Sequence, residues 1–139
     1  MPSSGSSSAP KLVLDTSAYA HLRAGSDDVM DAVAAAEVVY LPTVVLGELE
    51  AGFRLGRRTE ENRVTLSEFL SEPFVGVLPV SRRVARRYGQ VFAQLRRAGT
   101  PIPVNDIWIA ACTLERGAHL LTFDRDFERV ENLDCTVLG

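Results

Sequence analysis

Residues 11–24 have the sequence 11-KLVLDTSAYAHLRA-24, in which a short apolar run leads through an aspartate into a helix-forming stretch. We predict a buried strand over residues 11–14 and a helix directly after it, with Thr16 or Ser17 as the helix cap. Asp15 then stands just past the carboxyl end of the strand. A strand that passes through a polar residue into a helix is the unit from which parallel sheets are built.

The same alternation continues to the end of the chain. Further strands are predicted at residues 38–41, 74–78, 119–122 and 135–138. Further helices are predicted at residues 26–36, 43–55, 59–71, 81–98 and 104–116, and we expect Thr43 to cap the one that begins there. Strands alternating with helices predict an α/β fold, a short parallel sheet flanked by helices on both faces.

Size and composition limit the organisation of the chain. Its 139 residues, 46% of them hydrophobic, suit one domain, which we place at residues 11–139. Residues 1–10, MPSSGSSSAP, have no basic start and no apolar stretch, so we expect a flexible lead-in and no signal peptide. Cys112 and Cys135 are too few for a disulfide framework and lack zinc-ligand spacing, which favours buried free thiols in a soluble, cytoplasmic protein.

The basic residues exclude several classes of enzyme. The net charge is −3, and 14 of the 15 basic residues are arginine, with Lys11 the only lysine. Chemistry that depends on a lysine is therefore disfavoured, which argues against P-loop NTPases, Schiff-base enzymes and lysine-assisted phosphatases.

Two aspartates follow predicted strands that are buried. Asp15 comes after residues 11–14, and Asp124 comes shortly after residues 119–122. In open parallel sheets, ligands bind at the carboxyl ends of the strands. Each aspartate could instead be a loop residue that caps the next helix.

A third carboxylate lies on the apolar side of a predicted helix. At about 100° per residue, Glu48 shares one face with Val44, Val45, Leu49, Gly52, Phe53 and Leu55. Glu50 falls on the other side, where it can form an exposed pair with Arg54. An unpaired buried carboxylate is costly, so Glu48 needs a partner, a proton or a metal, unless its head reaches water at the rim of the face.

A fourth carboxylate, Asp106, lies in the first turn of the predicted helix 104–116, where the helix dipole alone could explain it. Asn105 beside it adds a second oxygen ligand or an amide donor. If the four carboxylates converge, their all-oxygen ligation suits Mg²⁺ or Mn²⁺, which can activate water for phosphoryl displacement. His21 and His119 are the only histidines, and we expect both to be structural.

Four short stretches around these carboxylates resemble the motifs of a known family. They are residues 14–19 (LDTSAY), 47–52 (GELEAG), 105–111 (NDIWIAA) and 121–127 (LTFDRDF). Together they look like the four motifs of PIN domains, and most like the toxin ribonucleases (VapC) of VapBC toxin–antitoxin pairs. The resemblance covers residues 11–138 and implies a three-layer sandwich around a short parallel sheet.

The resemblance also implies the activity and the residues that carry it. It implies metal-dependent cleavage of RNA, with Mg²⁺ or Mn²⁺ held by Asp15, Glu48, Asp106 and Asp124. Asp126 is a possible alternative in the fourth motif, and Thr16 and Thr122 are supporting ligands or orienters. The implied partners are the RNA substrate, a VapB-type antitoxin whose tail blocks the site, and a second toxin subunit in a homodimer.

Some alternatives stay open. On the helix 81–98, one arc comprises Arg82, Arg83, Arg86, Arg87, Gln90, Gln94 and Arg97. It is either a solvated face or a contact for RNA backbone or antitoxin. A phosphatase-like α/β hydrolase would also place an aspartate after the first strand, but it would need a lysine and a second aspartate where Ser17 stands. A non-catalytic PIN-like binding module would keep the fold and lose ligands.

Overall fold

The computed structural model describes residues 10–139, so residues 1–9 of the expected lead-in lie outside the described residues. Within this range the chain forms five parallel strands, β1 (Lys11–Leu14), β2 (Val38–Pro42), β3 (Val75–Leu78), β4 (His119–Thr122) and β5 (Cys135–Val137). The six α-helices are α1 (Thr16–Arg23), α2 (Asp27–Ala35), α3 (Thr43–Leu55), α4 (Thr59–Leu70), α5 (Arg82–Ala98) and α6 (Val104–Arg116). A 3₁₀ helix, Arg125–Arg129, follows β4 and was not predicted. The predicted α/β fold is confirmed.

The order of the strands brings two of the predicted site segments together. The sheet runs β3-β2-β1-β4-β5, so β1 has β2 on one side and β4 on the other. Leu12 pairs with Val39 in β2 and with His119 in β4. Both central strands are apolar and almost wholly buried, as expected for parallel strands covered on both faces. The carboxyl ends of β1 and β4 therefore meet where the strand order turns, the usual ligand position in such sheets.

Two predicted helix caps are wrong. Asp15 itself caps α1, because its extended backbone after β1 places its carboxylate where it accepts from the amide of Ala18 at 2.8 Å. Thr43 is the first residue of α3, and Pro42 occupies the cap position without a side-chain hydrogen bond. The Thr43 hydroxyl donates instead to the carbonyl of Leu78, which links α3 to the end of β3.

Helices α5 and α6 form a hairpin that carries Asp106 to the site. Gly99 ends α5 in the left-handed conformation, at φ 71°, and the chain enters α6 after only four more residues. Tyr88 of α5 stacks on Trp108 of α6 with ring centroids 4.0 Å apart. This packing fixes the first turn of α6, and with it Asp106, against the rest of the domain.

Both cysteines are free thiols, Cys112 buried and Cys135 half-buried, and burial raises the pKa of Cys112 to about 11. Among residues 10–139, no helix combines the length and apolar character that a bilayer crossing requires.

Candidate metal centre

Asp15 lies at the centre of a hydrogen-bond network at the end of β1. It is 4% exposed. Its Oδ1 accepts from the Ser17 hydroxyl at 2.7 Å and from the Ala18 amide, and its Oδ2 accepts from the Thr122 hydroxyl at 2.5 Å. Burial raises the pKa of Asp15, and these donors oppose the rise because they favour the ionised form.

The two hydroxyls connect Asp15 to the loop after β4. Ser17 Oγ accepts from the amide of Phe123 at 3.0 Å, and Thr122 Oγ1 accepts from the amide of Asp124 at 2.9 Å. Because an amide can only donate, each hydroxyl is left to give its own proton to Asp15. Both oxygens of Asp15 thus act as acceptors, the arrangement expected of an ionised carboxylate.

Glu48 faces the same site from α3 and is held by uncharged donors. Thr16 Oγ1 donates to its Oε1 at 2.5 Å, and Asn105 Nδ2 donates to its Oε2 at 3.2 Å. Asn105 is therefore the amide donor of the two roles expected for it. Within residues 10–139, no lysine or arginine forms a salt bridge with Glu48.

The predicted apolar face of α3 is correct only in part. Val45 and Leu49 are buried, but Leu55 is 91% exposed. Leu55 is the last residue of α3, where the helix has run past the core that its face covers. Glu50 pairs with Arg54 as expected and also with Arg63 of α4, a partner that helical geometry could not reveal.

Asp106 is the least compensated carboxylate of the group. Among residues 10–139, no donor hydrogen-bonds to its side chain and no cation pairs with it. Its pKa is raised to about 7, first by burial and further by the charges of Asp124, Glu48, Asp15 and Asp126. A carboxyl group surrounded by other carboxylates and without a counter-charge is typical of a cation site.

The fourth motif contributes two aspartates. Asp124 Oδ1 accepts from the amide of Asp126 at 2.9 Å, so Asp124 caps the 3₁₀ helix while it faces the site. One carboxylate oxygen from each of Asp106, Asp124 and Asp126 lies within 4.8 Å of the others. Asp126 also lies 3.3 Å from Arg129, which offsets part of its charge. Both aspartates thus remain candidates for the fourth ligand.

The four carboxylates from distant segments lie around one cavity. It has a volume of about 330 Å³ and is lined by Asp15, Thr16, Ser17, Ala20, Glu48, Asp106, Ile109 and Asp124. Asp15 and Asp124 do cap helices, so the capping alternative is correct, and it coexists with convergence on the cavity. The donor set is all oxygen and mostly anionic, which fits Mg²⁺ or Mn²⁺ and does not fit a soft metal.

Comparison with known proteins decides the family. The sequence pattern of the PIN domain matches residues 12–133. The chain belongs to the PIN-domain family. Over 119 residues this PIN domain is 29% identical to Ribonuclease VapC5 of Mycobacterium tuberculosis, covering 86% of this chain and 87% of the relative.

Solved structures share the fold of this PIN domain. DNA-bound VapBC from Salmonella typhimurium matches with a TM-score of 0.82 at 25% identity, covering 92% of this chain and 98% of that one. VapBC2 from Rickettsia felis, bound to a DNA fragment from its promoter, matches with a TM-score of 0.83 over the same shares. At 23% identity, this match shows a shared fold and nothing more. The family predicted from the four motifs is confirmed.

Part of the basic arc on α5 has a structural role in this PIN domain. Arg87 lies 3.2 Å from Glu115 of α6. Gln94 donates to the carbonyl of Arg129 and accepts from the amide of Glu131, which ties α5 to the segment before β5. A contact of the remaining arginines with RNA or with an antitoxin stays a prediction.

Proposed function

We propose that this PIN domain is the ribonuclease toxin of a toxin–antitoxin pair and that it hydrolyses RNA phosphodiester bonds at the carboxylate centre. The observation that carries the proposal is the convergence of carboxylates around Asp106, whose own side chain has neither a hydrogen-bond donor nor a cationic partner among residues 10–139. The relative from Mycobacterium tuberculosis bears the name of a ribonuclease, and a similar solved structure from the same organism is described as a member of the VapBC family of toxin–antitoxin systems. Both support the same assignment.

We infer that Asp15, Glu48, Asp106 and Asp124 hold the ion, Mg²⁺ or Mn²⁺, with Asp126 as the alternative to Asp124. When bound, such an ion lowers the pKa of a water molecule and offsets charge on the phosphate oxygens during displacement.

The protein's own residues prepare this centre in distinct ways. Oδ1 of Asp15 already accepts two hydrogen bonds, whereas Oδ2 accepts one, so Oδ2 keeps a free lone pair for a ligand. The donors Thr16 and Asn105 fix both oxygens of Glu48 and restrict its rotation. Asp106 has no such donor, so its carboxylate is free to respond to the cation.

The alternative functions have less support. A lysine-assisted phosphatase would need an ammonium group beside the centre, and the single lysine of the chain, Lys11, lies at the opposite end of β1 from Asp15. A non-catalytic PIN-like module would have lost acidic residues, and all four are in place. The partners that we infer are an RNA substrate, a VapB-type antitoxin that covers the site, and a second subunit in a homodimer.

The test is cleavage of an end-labelled single-stranded RNA by the purified protein. We expect products with Mg²⁺ or Mn²⁺, none in excess EDTA, and recovery when the metal is restored. Because the attacking group is water, the products should carry no 2′,3′-cyclic phosphate, and a 2′-deoxy nucleotide at the cut should not prevent cleavage. Cleavage that continues in EDTA, or that ends in cyclic phosphate, would contradict the proposal.

A further inference from the structure

Two aromatic rings are stacked beside Ser17, one of the residues that line the carboxylate cavity. The imidazole of His21 and the ring of Phe123 lie with centroids 3.6 Å apart and planes only 14° from parallel. His21 belongs to α1, one turn after Ser17, and Phe123 lies between Thr122 and Asp124 in the loop after β4. The pair therefore joins the same two segments that carry the first and fourth acidic motifs.

The orientation of both rings is fixed by Ser17. The Nδ1 of His21 lies 2.9 Å from the carbonyl oxygen of Ser17, and because a carbonyl can only accept, Nδ1 carries the proton. The amide of Phe123 donates to Ser17 Oγ, and the same hydroxyl donates to Asp15. Ser17 therefore contacts His21, Phe123 and Asp15, and so connects both rings to the carboxylate.

The exposure of the two rings differs. Phe123 is half-buried and packs against the core, whereas His21 is exposed. Within residues 10–139, Phe123 is the only aromatic ring that stacks on His21, and His21 is exposed to solvent. A flat ring that is held in place beside the site and is accessible from solvent suits the binding of another flat ring.

We propose that His21, supported by Phe123, is a stacking platform for one unpaired RNA base next to the carboxylate centre. The proposal rests on the ribonuclease function proposed above and adds a substrate-positioning role for His21. Single-stranded RNA is commonly recognised by bases that stack on aromatic or histidine rings. Stacking also suits this chain because its net charge of −3 and its acidic centre repel phosphates, whereas the contact with a base needs no charge.

The experiment compares kcat/KM for cleavage of a short single-stranded RNA by wild type and variants of His21. His21→Gln keeps a donor for the Ser17 carbonyl and removes the ring, and His21→Phe keeps a ring and removes the donor. We expect His21→Ala and His21→Gln to lower kcat/KM by about tenfold, mainly through KM, the lower part of the range for one stacked base. His21→Phe should stay within about threefold of wild type, the loss expected for one exposed hydrogen bond.

The matched control is the other histidine. His119 lies at the amino end of β4, where it contacts Thr136 and Asp134, so His119→Ala should leave kcat/KM unchanged. Melting temperatures of all variants separate a loss of substrate contact from a loss of fold.

Substrates with a single abasic nucleotide complete the design. We expect one abasic position beside the cut to weaken cleavage by wild type and to have little further effect on His21→Gln, because the stacking contact is then already lost. The platform is overturned if His21→Gln cleaves as well as wild type, if His21→Phe loses as much as His21→Gln, or if the abasic penalty persists in full. Absence of RNA cleavage by wild type would overturn the proposed function and the platform with it.

Discussion

Two acidic regions of the molecule, one on each side of α3, have opposite electrostatics. On one side, Glu50 pairs with Arg54 and Arg63, and hydrogen bonding from Arg63 lowers its pKa to about 2. On the other side, Glu48 faces carboxylates, and burial among them raises the pKa of Asp106 to about 7. The chain has 14 arginines, yet within residues 10–139 the only one that pairs with a carboxylate of the centre is Arg129, which reaches Asp126. The negative charge of the centre is thus largely left without protein counter-charges, as expected of a site that binds a cation.

The largest loss of RNA cleavage is expected from substitution of the aspartates in the carboxylate centre. Asp15→Asn and Asp106→Asn should each lower RNA cleavage by more than about 100-fold, the upper end of what a change around a metal ligand costs. Either change keeps side-chain volume and removes one repelling charge, so the metal-free fold should be as stable as wild type or more so. Cleavage of labelled RNA and thermal unfolding are to be measured on the same samples.

Asparagine caps helices as well as aspartate does, so these variants also separate the two roles of Asp15. If both variants were stable and fully active, Asp15 and Asp106 would be structural residues, and the two acidic regions would not differ in function.

A second prediction compares the two regions on one helix. Glu48→Gln should lower cleavage by about 100-fold or more, because an amide is a poor ligand for a hard cation. Glu50→Gln should keep cleavage within about threefold of wild type, since its arginine pairs are on the surface and contribute little. The kinetics of both variants, with their melting temperatures, provide the measurement. Similar losses would show that Glu50 belongs to the centre or that α3 is oriented otherwise.

The contrast between these glutamates shows how far the sequence predicts the site. Helical geometry separates Glu48 from Glu50 because both lie on one regular element. It does not find Arg63, which comes from α4 and meets Glu50 only through the packing of two helices. It also misplaces Leu55, because an apolar residue at a helix end has no core left to cover.

The same limit applies at the end of β1. Alternating strands and helices predict that Asp15 and Asp124 share one edge of the sheet, and they do. Asp15, Thr16 and Ser17 are all of residue types that cap helices, so the sequence alone does not decide which of them caps α1. The carboxylate of Asp15 has enough acceptor sites for capping and for ligation. The link from Ser17 to Phe123 depends on the loop after β4, whose conformation no periodicity predicts.

The third prediction concerns the response of stability to metal. Mg²⁺ or Mn²⁺ at about ten times its Kd should stabilise the native state by about 1.4 kcal/mol, which raises the melting temperature by about 5 °C for a chain of this size. Asp106→Asn should reduce the shift, and Glu50→Gln should leave it intact. Equal shifts in all three proteins would indicate that the ions bind elsewhere.

The pH dependence of the metal-free protein offers a further test of Asp106. The pKa of Asp106 is raised from 3.8 to about 7, so the folded state binds this proton more tightly than the unfolded state does. Its contribution to stability is full below about pH 4 and is lost as the pH rises through 7. In EDTA, the decrease in melting temperature from pH 5.5 to pH 8.5 should therefore be larger for wild type than for Asp106→Asn. Parallel curves for the two proteins would show that Asp106 is not the group responsible.

The most direct test of the central claim is a titration of Mn²⁺ into the metal-free protein, followed by calorimetry or by the electron paramagnetic resonance of free Mn²⁺. We predict saturable binding to wild type and to Glu50→Gln, with affinity for Asp106→Asn weakened by at least about tenfold, the cost of altering even a supporting group. If wild type binds no Mn²⁺, or if Asp106→Asn binds it as tightly as Glu50→Gln does, the carboxylates at the end of β1 are not a metal centre.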